Sequence, residues 1–439
     1  MVSLPLAAVP SPPPSRRAGM PRAPGIARCA AAWAAAGLLA AVVSLAAAQE
    51  PGTAVDPRPE APPAAAAETL AGPPPAALPA GAVPTVGEPL PMYLVDPQTP
   101  GGFAGIPVGT AADLLPDWPR WFAGASGLVM TRTLPGGVAT MQPAGGVQLA
   151  TSDASATWPG GVDLHVGRWF GMRQHHAVEF IYWGVYGMGD AAQAAAAPPG
   201  IDAIPQAPGV LVGTASAAAY LDGAAAQRIA RSDLVNDVEI NWLYSLWERP
   251  EFLSTDPAAP SRSVNLMWLA GFRFFELEDV LTLTSVPSGS APGMLDLGVA
   301  TNNNLYGGQV GAKLDWRFLP RLRLSAVPKF LLAGNAITNT TSFSSSAGLP
   351  VAFASGAPAT AHSTLGVLSW LGSVDTSVAW DVTDRWSLWI GYRVVGVGNV
   401  AQADGQWPSV VTDQASISGV TAGSSTIIHG GFAGFQGRY

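Results

Sequence analysis

The chain has 439 residues, 12% of them charged and 48% hydrophobic, with a formal net charge of -8. Soluble domains carry roughly 25% charged residues, so this composition, with its positive mean hydropathy, argues against an ordinary water-soluble enzyme and for contact with lipid. The acidic balance also excludes nucleic acid as a partner, because phosphates demand a basic face.

Residues 1–48 read as a secretory signal peptide. Arg16, Arg17, Arg22 and Arg28 precede the apolar run Ala30 to Ala48, which ends in Ala46-Ala47-Ala48 before Gln49. Met20 is a second candidate start, and an N-terminal anchor helix is the other reading of the Ala-rich run. Cys29, the single cysteine, follows Arg28 and lacks the small-residue context of a lipoprotein site. Losing four arginines and no acids would leave 18 basic against 30 acidic residues, a charge of -12. Residues 49–119, rich in Pro and Ala and without periodicity, read as a disordered linker.

From Arg120 the pattern becomes aromatic and alternating. Strand candidates are Trp121 to Arg132, Val162 to Phe170, His176 to Tyr186, Leu234 to Trp247, Val264 to Glu276 and Val280 to Val286. They continue with Leu305 to Arg317, Arg321 to Leu332, Leu365 to Val382, Trp386 to Val400 and Thr426 to Tyr439. Leu277 to Asp279, Phe318 to Pro320 and Thr383 to Arg385 read as tight turns. Pro287 to Asn304, Ala333 to Thr364 and Ala401 to Ser425 read as long loops. The segment Thr214 to Ala230 could hold a short helix.

The pair Leu305 to Leu332 is the clearest. Tyr306, Val310, Ala312, Leu314 and Trp316 share one face, against Gln309, Gly311, Lys313, Asp315 and Arg317 on the other. After Pro320, Leu322, Leu324, Ala326, Phe330 and Leu332 oppose Arg321, Arg323, Ser325, Val327 and Lys329. Arms of this length can cross a bilayer at a tilt, with the oily face to lipid and the charged face to the lumen. Aromatics beside the tight turns, Trp316 with Phe318, Trp380 with Trp386 and Phe274 with Phe275, suit an interfacial girdle.

The fold predicted is all-β: a closed antiparallel transmembrane barrel over residues 120–439, with about twelve strands and a range of roughly 10 to 14. The eleven candidates need parity, because a barrel that begins and ends at one face has an even number of strands. A missed strand is therefore sought in Ala191 to Arg231 or Leu134 to Gly160.

The motifs VEINWLYSLWE (Val238 to Glu248), WLAGFRFFELEDVL (Trp268 to Leu281) and NNLYGGQVGAKLDWRFLPRLRLSAVPKFLLAGNAI (Asn303 to Ile337) resemble the planctomycete β-barrel porin (BBP) family of outer-membrane β-barrel proteins. That resemblance implies a bacterial outer-membrane barrel and carries no catalytic or ligand residues to transfer. The terminal alternation of Phe435 and Tyr439 is similar to the signal that outer-membrane barrels present to the barrel-assembly machinery, with Gly437 where a larger residue is usual.

No catalytic, metal or cofactor site is expected. His175 and His176 are sequence neighbours pointing to opposite faces, His165 is expected to pair with Asp163, and His362-Ser363 cannot meet as a dyad. Charges on strands must face the lumen, since Arg or Lys at mid-bilayer costs ~2–4 kcal/mol. The lumen candidates are Glu239, Arg273, Lys313, Asp315, Arg323, Lys329, Asp375 and Arg393, with Asp315 expected beside Arg321 or Arg323.

Two functions fit such a lumen. One is a pore for passive diffusion of small polar solutes or ions, filtered by the basic strip Lys313, Arg323 and Lys329. The other is a closed structural barrel displaying extracellular loops, its charges paired into ladders. Oligomeric state is not legible.

Overall fold

The computed structural model describes residues 120–141, 149–171, 174–195, 200–246 and 264–439. The expected signal peptide and linker lie outside them.

Period-two alternation builds the strands the sequence predicts and extends several of them. They are β1 (Trp121–Arg132), β2 (Gly160–Phe170), β3 (His176–Tyr186), β4 (Ala191–Ala195), β5 (Val210–Val212), β6 (Ala215–Ser216) and β7 (Ala226–Ser245). They continue with β8 (Val264–Val286), β9 (Leu295–Leu319), β10 (Leu322–Ser345), β11 (Val351–Phe353), β12 (Thr360–Asp381), β13 (Trp386–Val400) and β14 (Ser424–Arg438). One short helix, α1 (Ala218–Leu221), falls where a helix was expected.

The sheet closes. Antiparallel pairings run β1-β2-β3-β7-β8-β9-β10-β12-β13-β14 and back to β1, which makes a ring of ten strands. Trp121 and Tyr439 exchange backbone hydrogen bonds at 2.9 and 2.8 Å, so the barrel begins and ends at the same rim.

The count is ten and not twelve because Val264–Val286 is one strand. Leu277-Glu278-Asp279 keeps the alternation: Phe275, Leu277, Asp279 and Leu281 are buried inside, while Glu276 and Glu278 face out. The outward face of β8 runs Trp268, Ala270, Phe272 and Phe274 before reaching Glu276. The acids that suggested a turn thus mark where the strand leaves hydrocarbon and continues into water. Neither region searched for a missing strand adds one to the ring: β4 extends the wall above β3 by pairing with Ala226–Ala230 of β7, and the described part of 134–160 holds a 3-10 turn at Thr151–Asp153.

The long connections shrink for the same reason. β9 starts at Leu295, β10 continues to Ser345 and β12 starts at Thr360. At ~3.4 Å per residue, the 25 residues of β9 exceed what a hydrocarbon layer requires. The wall therefore rises beyond the membrane. One end of the barrel has the connections 320–321, 382–385, 171–175 and 246–263, the last of which is not short. The other end carries all the remaining loops.

The lipid belt is explicit on the outside. Leu164, Ile240, Phe272, Val310, Leu332 and Ile390 are each 50% exposed or more. Trp316 with Phe318 and Trp380 near Trp386 flank the short turns as expected, and Trp386 packs edge-on to Tyr439 at 5.9 Å. Phe274 and Phe275 do not belong to that girdle. Phe275 is fully buried inside the lumen, against Trp183 at 6.2 Å.

At the long-loop end the connections fold inward as a cap. β11, β5 and β6 form a small sheet joining the β10–β12 connection to the β4–β7 connection. Bridges Gln206↔Val410 and Met141↔Ala203 tie in the β13–β14 and β1–β2 loops. Ile201, Val210, Tyr220, Phe353 and Val411 of these loops share one apolar cluster with Leu281, Leu283, Leu295, Leu297 and Phe343 of the walls. Backbone approach is closest at Gly209, where a Cβ would sit 1.7 Å from the Thr412 carbonyl oxygen.

Candidate functional site

Above a small apolar cluster of Phe122, Ala177, Leu243 and Leu269 at the short-turn end, the lumen is built in three layers, each set by which inward positions the alternation fills. Uppermost, beneath the cap, is a charged cluster with no solvent exposure at its core. Arg132 Nε lies 2.6 Å from Asp233 and its Nη2 lies 2.9 Å from Asp279; Arg231 Nη1 reaches Asp279 at 2.8 Å. Arg231 Nη2 donates to Asp404 at 2.8 Å.

Asp404 comes from the β13–β14 loop, so this ion pair ties that loop into the barrel mouth. Ala403 N–H donates to Asp279 at 3.0 Å, and Asn303 both donates to the Ala401 carbonyl at 2.7 Å and accepts from its N–H at 2.8 Å. Asp404→Asn should leave the ring assembled but raise the rate of limited proteolysis within residues 401–423 several-fold, because one charged tie worth ~1.5–3 kcal/mol is weakened. Equal cleavage rates would show that the apolar packing of the cap alone holds the loop.

Below the charges lies an apolar layer to which nine of the ten strands contribute. Leu128 and Met130 (β1), Ile181, Trp183 and Val185 (β3), Val235 (β7), Phe275 and Leu277 (β8), Leu305 (β9), Leu331 and Ala333 (β10), Leu371 (β12), Val395 and Val397 (β13) and Ile428 (β14) form one cluster, none more than 9% exposed. Strand number explains why they meet. Eight strands give an interior that side chains just fill, while porins of 16–18 leave an aqueous channel; a ring of ten is still narrow enough for inward side chains from nine strands to meet.

The third layer, toward the short-turn end, collects most of the lumen charges. Glu239 is its hub: Lys329 Nζ donates to both its oxygens at 2.9 and 2.8 Å, and Gln309 and Asn241 donate at 2.9 and 2.8 Å. Arg273 Nε donates to Asp237 at 2.6 Å and its Nη1 lies 3.7 Å from Glu239. Arg393 binds Asp163 and Asp375, each at 2.8 Å, and sits over the Trp183 ring at 5.0 Å. Fixing these pairs offsets the cost of taking their charges out of water.

The sequence candidates therefore all reach the lumen, with different fates. Asp315 accepts a short hydrogen bond from Ser325 and lies 3.9 Å from Arg323. Arg321 is exposed in the turn and is not Asp315's partner. Lys313 alone of the basic strip has no ion pair among the described residues. Asp163 pairs with Arg393 rather than with His165, which stacks near Trp389 at 4.8 Å. His362 bonds Thr340 at 2.9 Å while Ser363 accepts from Gly419 N–H at 2.8 Å, so those two neighbours do diverge. Phe435 and Tyr439 are outward and about half exposed.

Arg323→Ala should lower stability in chemical unfolding of the detergent-folded barrel far less than Lys329→Ala does. Arg323 has a single long contact and 12% side-chain exposure, whereas Lys329 is 5% exposed and bound to both Glu239 oxygens. Equal losses would contradict that ranking.

Sequence reading missed the upper cluster entirely. Arg231 closed a region searched for a missing strand, Asp233 stood just before the strand expected from Leu234, and Asp279 lay in a presumed turn. Their signal was parity: Ile229, Arg231, Asp233, Val235, Asp237 and Glu239 alternate without a break.

The sequence matches the family described as "Putative beta barrel porin-7 (BBP7)" over residues 128–426. No curated protein matches it. Among solved structures it is similar to the outer-membrane protease OmpT of Escherichia coli, at 10% identity over 73% of this chain and 97% of that one, with a TM-score of 0.41. It is also similar to the translocator domain of the autotransporter NalP from Neisseria meningitidis (10% identity, 75% and 92% covered, TM-score 0.27). A third likeness is to the toluene transporter TodX of P. putida (9% identity, 74% and 91% covered, TM-score 0.26). Likenesses this distant assign neither activity nor cargo.

Proposed function

Since this chain belongs to the putative beta barrel porin-7 family, and so to the outer membrane, we propose that it works there as a closed barrel presenting an ordered cap at the cell surface. The observation that carries this reading is the apolar layer contributed by nine strands. Passive diffusion of small polar solutes, the other function the sequence allows, would require that layer to open, and it is made of wall side chains rather than a displaceable loop. The pairing of lumen charges supports the same choice: Glu239, Lys329, Arg273, Asp375 and Arg393 brace the wall.

In this reading the protein is exported by its N-terminal signal peptide and is not an enzyme. Its partners are the lipid bilayer, through the exposed belt, and the barrel-assembly machinery, through Phe435 and Tyr439. Nucleic acid has no place in it.

Cysteine labelling tests the display. Ser355→Cys, in an exposed turn of the cap, should react with a membrane-impermeant maleimide on intact cells. Arg321→Cys, in the short turn, should react only after permeabilisation. The reverse pattern would overturn the orientation and with it the role of the cap.

A further inference from the structure

Beneath the apolar layer the lumen widens into a chamber of about 110 Å³ lined by residues of all ten strands of the ring, among them Glu179, Lys313, Arg323, Trp389 and Arg393. Most of the charges around it are already matched: Lys329 by Glu239, Arg393 by Asp163 and Asp375, and Arg323 by the charge of Asp315 at 3.9 Å, too far for a hydrogen bond. Two are not. Among the described residues Lys313 and Glu179, on β9 and β3, form no hydrogen bond or close ion pair, although Lys313 and then Lys329 are the cations whose charge acts most on Glu179.

The chamber also holds three buried donors without an acceptor: Arg323 Nε, Trp389 Nε1 and Arg393 Nη1. No orphaned buried acceptor lines it. What the walls lack is thus an oxygen-rich anionic group near the donors and Lys313, and a donor within hydrogen-bonding reach of Glu179. A buried donor left unpaired carries its full desolvation cost, so a ligand supplying those acceptors would recover it.

We propose that this chamber binds a small zwitterion of the size of glycine or alanine. Its carboxylate would face Lys313 and the buried donors, and its ammonium would face Glu179. A simple anion satisfies the donors but leaves Glu179 unmatched, and a simple cation does the opposite. The site lies on the short-turn side of the closed layer, so it is a blind pocket and not a step in a channel.

Calorimetric titration of the detergent-purified full chain with glycine, acetate and methylammonium decides the matter, and reads binding independently of whether the lumen conducts. Glycine should bind about tenfold more tightly than either half-molecule, the factor expected of one added charged hydrogen bond. Lys313→Gln and Glu179→Gln should each weaken glycine binding about tenfold, and Trp389→Phe about threefold, with gel mobility of the folded barrel unchanged. Acetate binding as tightly as glycine would overturn the zwitterion assignment. No heat from any titrant with a folded barrel, or glycine affinity indifferent to both charge-removing variants, would overturn the site.

Discussion

Asp279→Ala is expected to lower the free energy of unfolding by roughly 3–5 kcal/mol, the cost of breaking buried ion pairs by removing one member. Asp279 sits between two guanidinium groups, at 2.9 Å from Arg132 and 2.8 Å from Arg231, and accepts the Ala403 N–H at 3.0 Å. Arg132 would keep Asp233 and Arg231 would keep Asp404. Two buried cations would then share the field of two carboxylates with nothing between them. Guanidinium unfolding followed by tryptophan fluorescence reads the loss, and proteolysis reads the accompanying release of the β13–β14 loop. A loss below about 1 kcal/mol, the size typical of an exposed pair, would mean that water reaches the cluster and that the cap does not seal it.

Glu239→Ala should cost a comparable ~3–5 kcal/mol, from the other end of the lumen. The substitution strips Lys329 of its partner and takes an acceptor from Gln309 and Asn241, while Arg273 retains Asp237 at 2.6 Å. The informative control is Glu239→Gln combined with Lys329→Met. Replacing a buried pair by neutral groups of similar volume is often nearly neutral, so the double variant should recover most of the single variant's loss. A Glu239→Ala loss below about 1 kcal/mol, the size typical of an exposed pair, would show that the pair is wet, which is the property an open pore would need.

The sequence made the lower lumen readable and left the upper lumen hidden, for one physical reason. Inside hydrocarbon the outward face is apolar, so period-two contrast is strong. The β9–β10 hairpin shows this: Tyr306, Val310, Phe330 and Leu332 face out and Gln309, Asp315, Ser325 and Lys329 face in. Above the lipid both faces meet polar surroundings. Glu276 bonds Asn236 and Asn302 on the outside at 2.8 and 2.9 Å while Asp279 is buried inside. With polar residues on both sides the contrast fades and the strand resembles a turn.

That loss of contrast split β8 in two, shortened β7, β9 and β10, and concealed Arg231, Asp233 and Asp279, while Asp404 comes from a loop without alternation. The parity rule was sound, and it was satisfied by removing a break rather than adding a strand. Pairing between lumen charges was legible only where partners lie on neighbouring strands, as with Asp315 and Arg323 on the two arms of one hairpin, 3.9 Å apart. Lys329 with Glu239 joins β10 to β7, across strands that are not adjacent, and no local pattern announces it.

The closed lumen is the claim on which the functional reading stands, and single-channel recording of the protein in a planar bilayer tests it most directly. Insertion is verified by heat-modifiable mobility of the same sample. The account predicts no steady conductance across the voltage range the bilayer tolerates, because the layer around Trp183, Phe275, Leu277 and Leu371 excludes water. A stable, salt-proportional conductance from the folded barrel would contradict it and restore the diffusion pore.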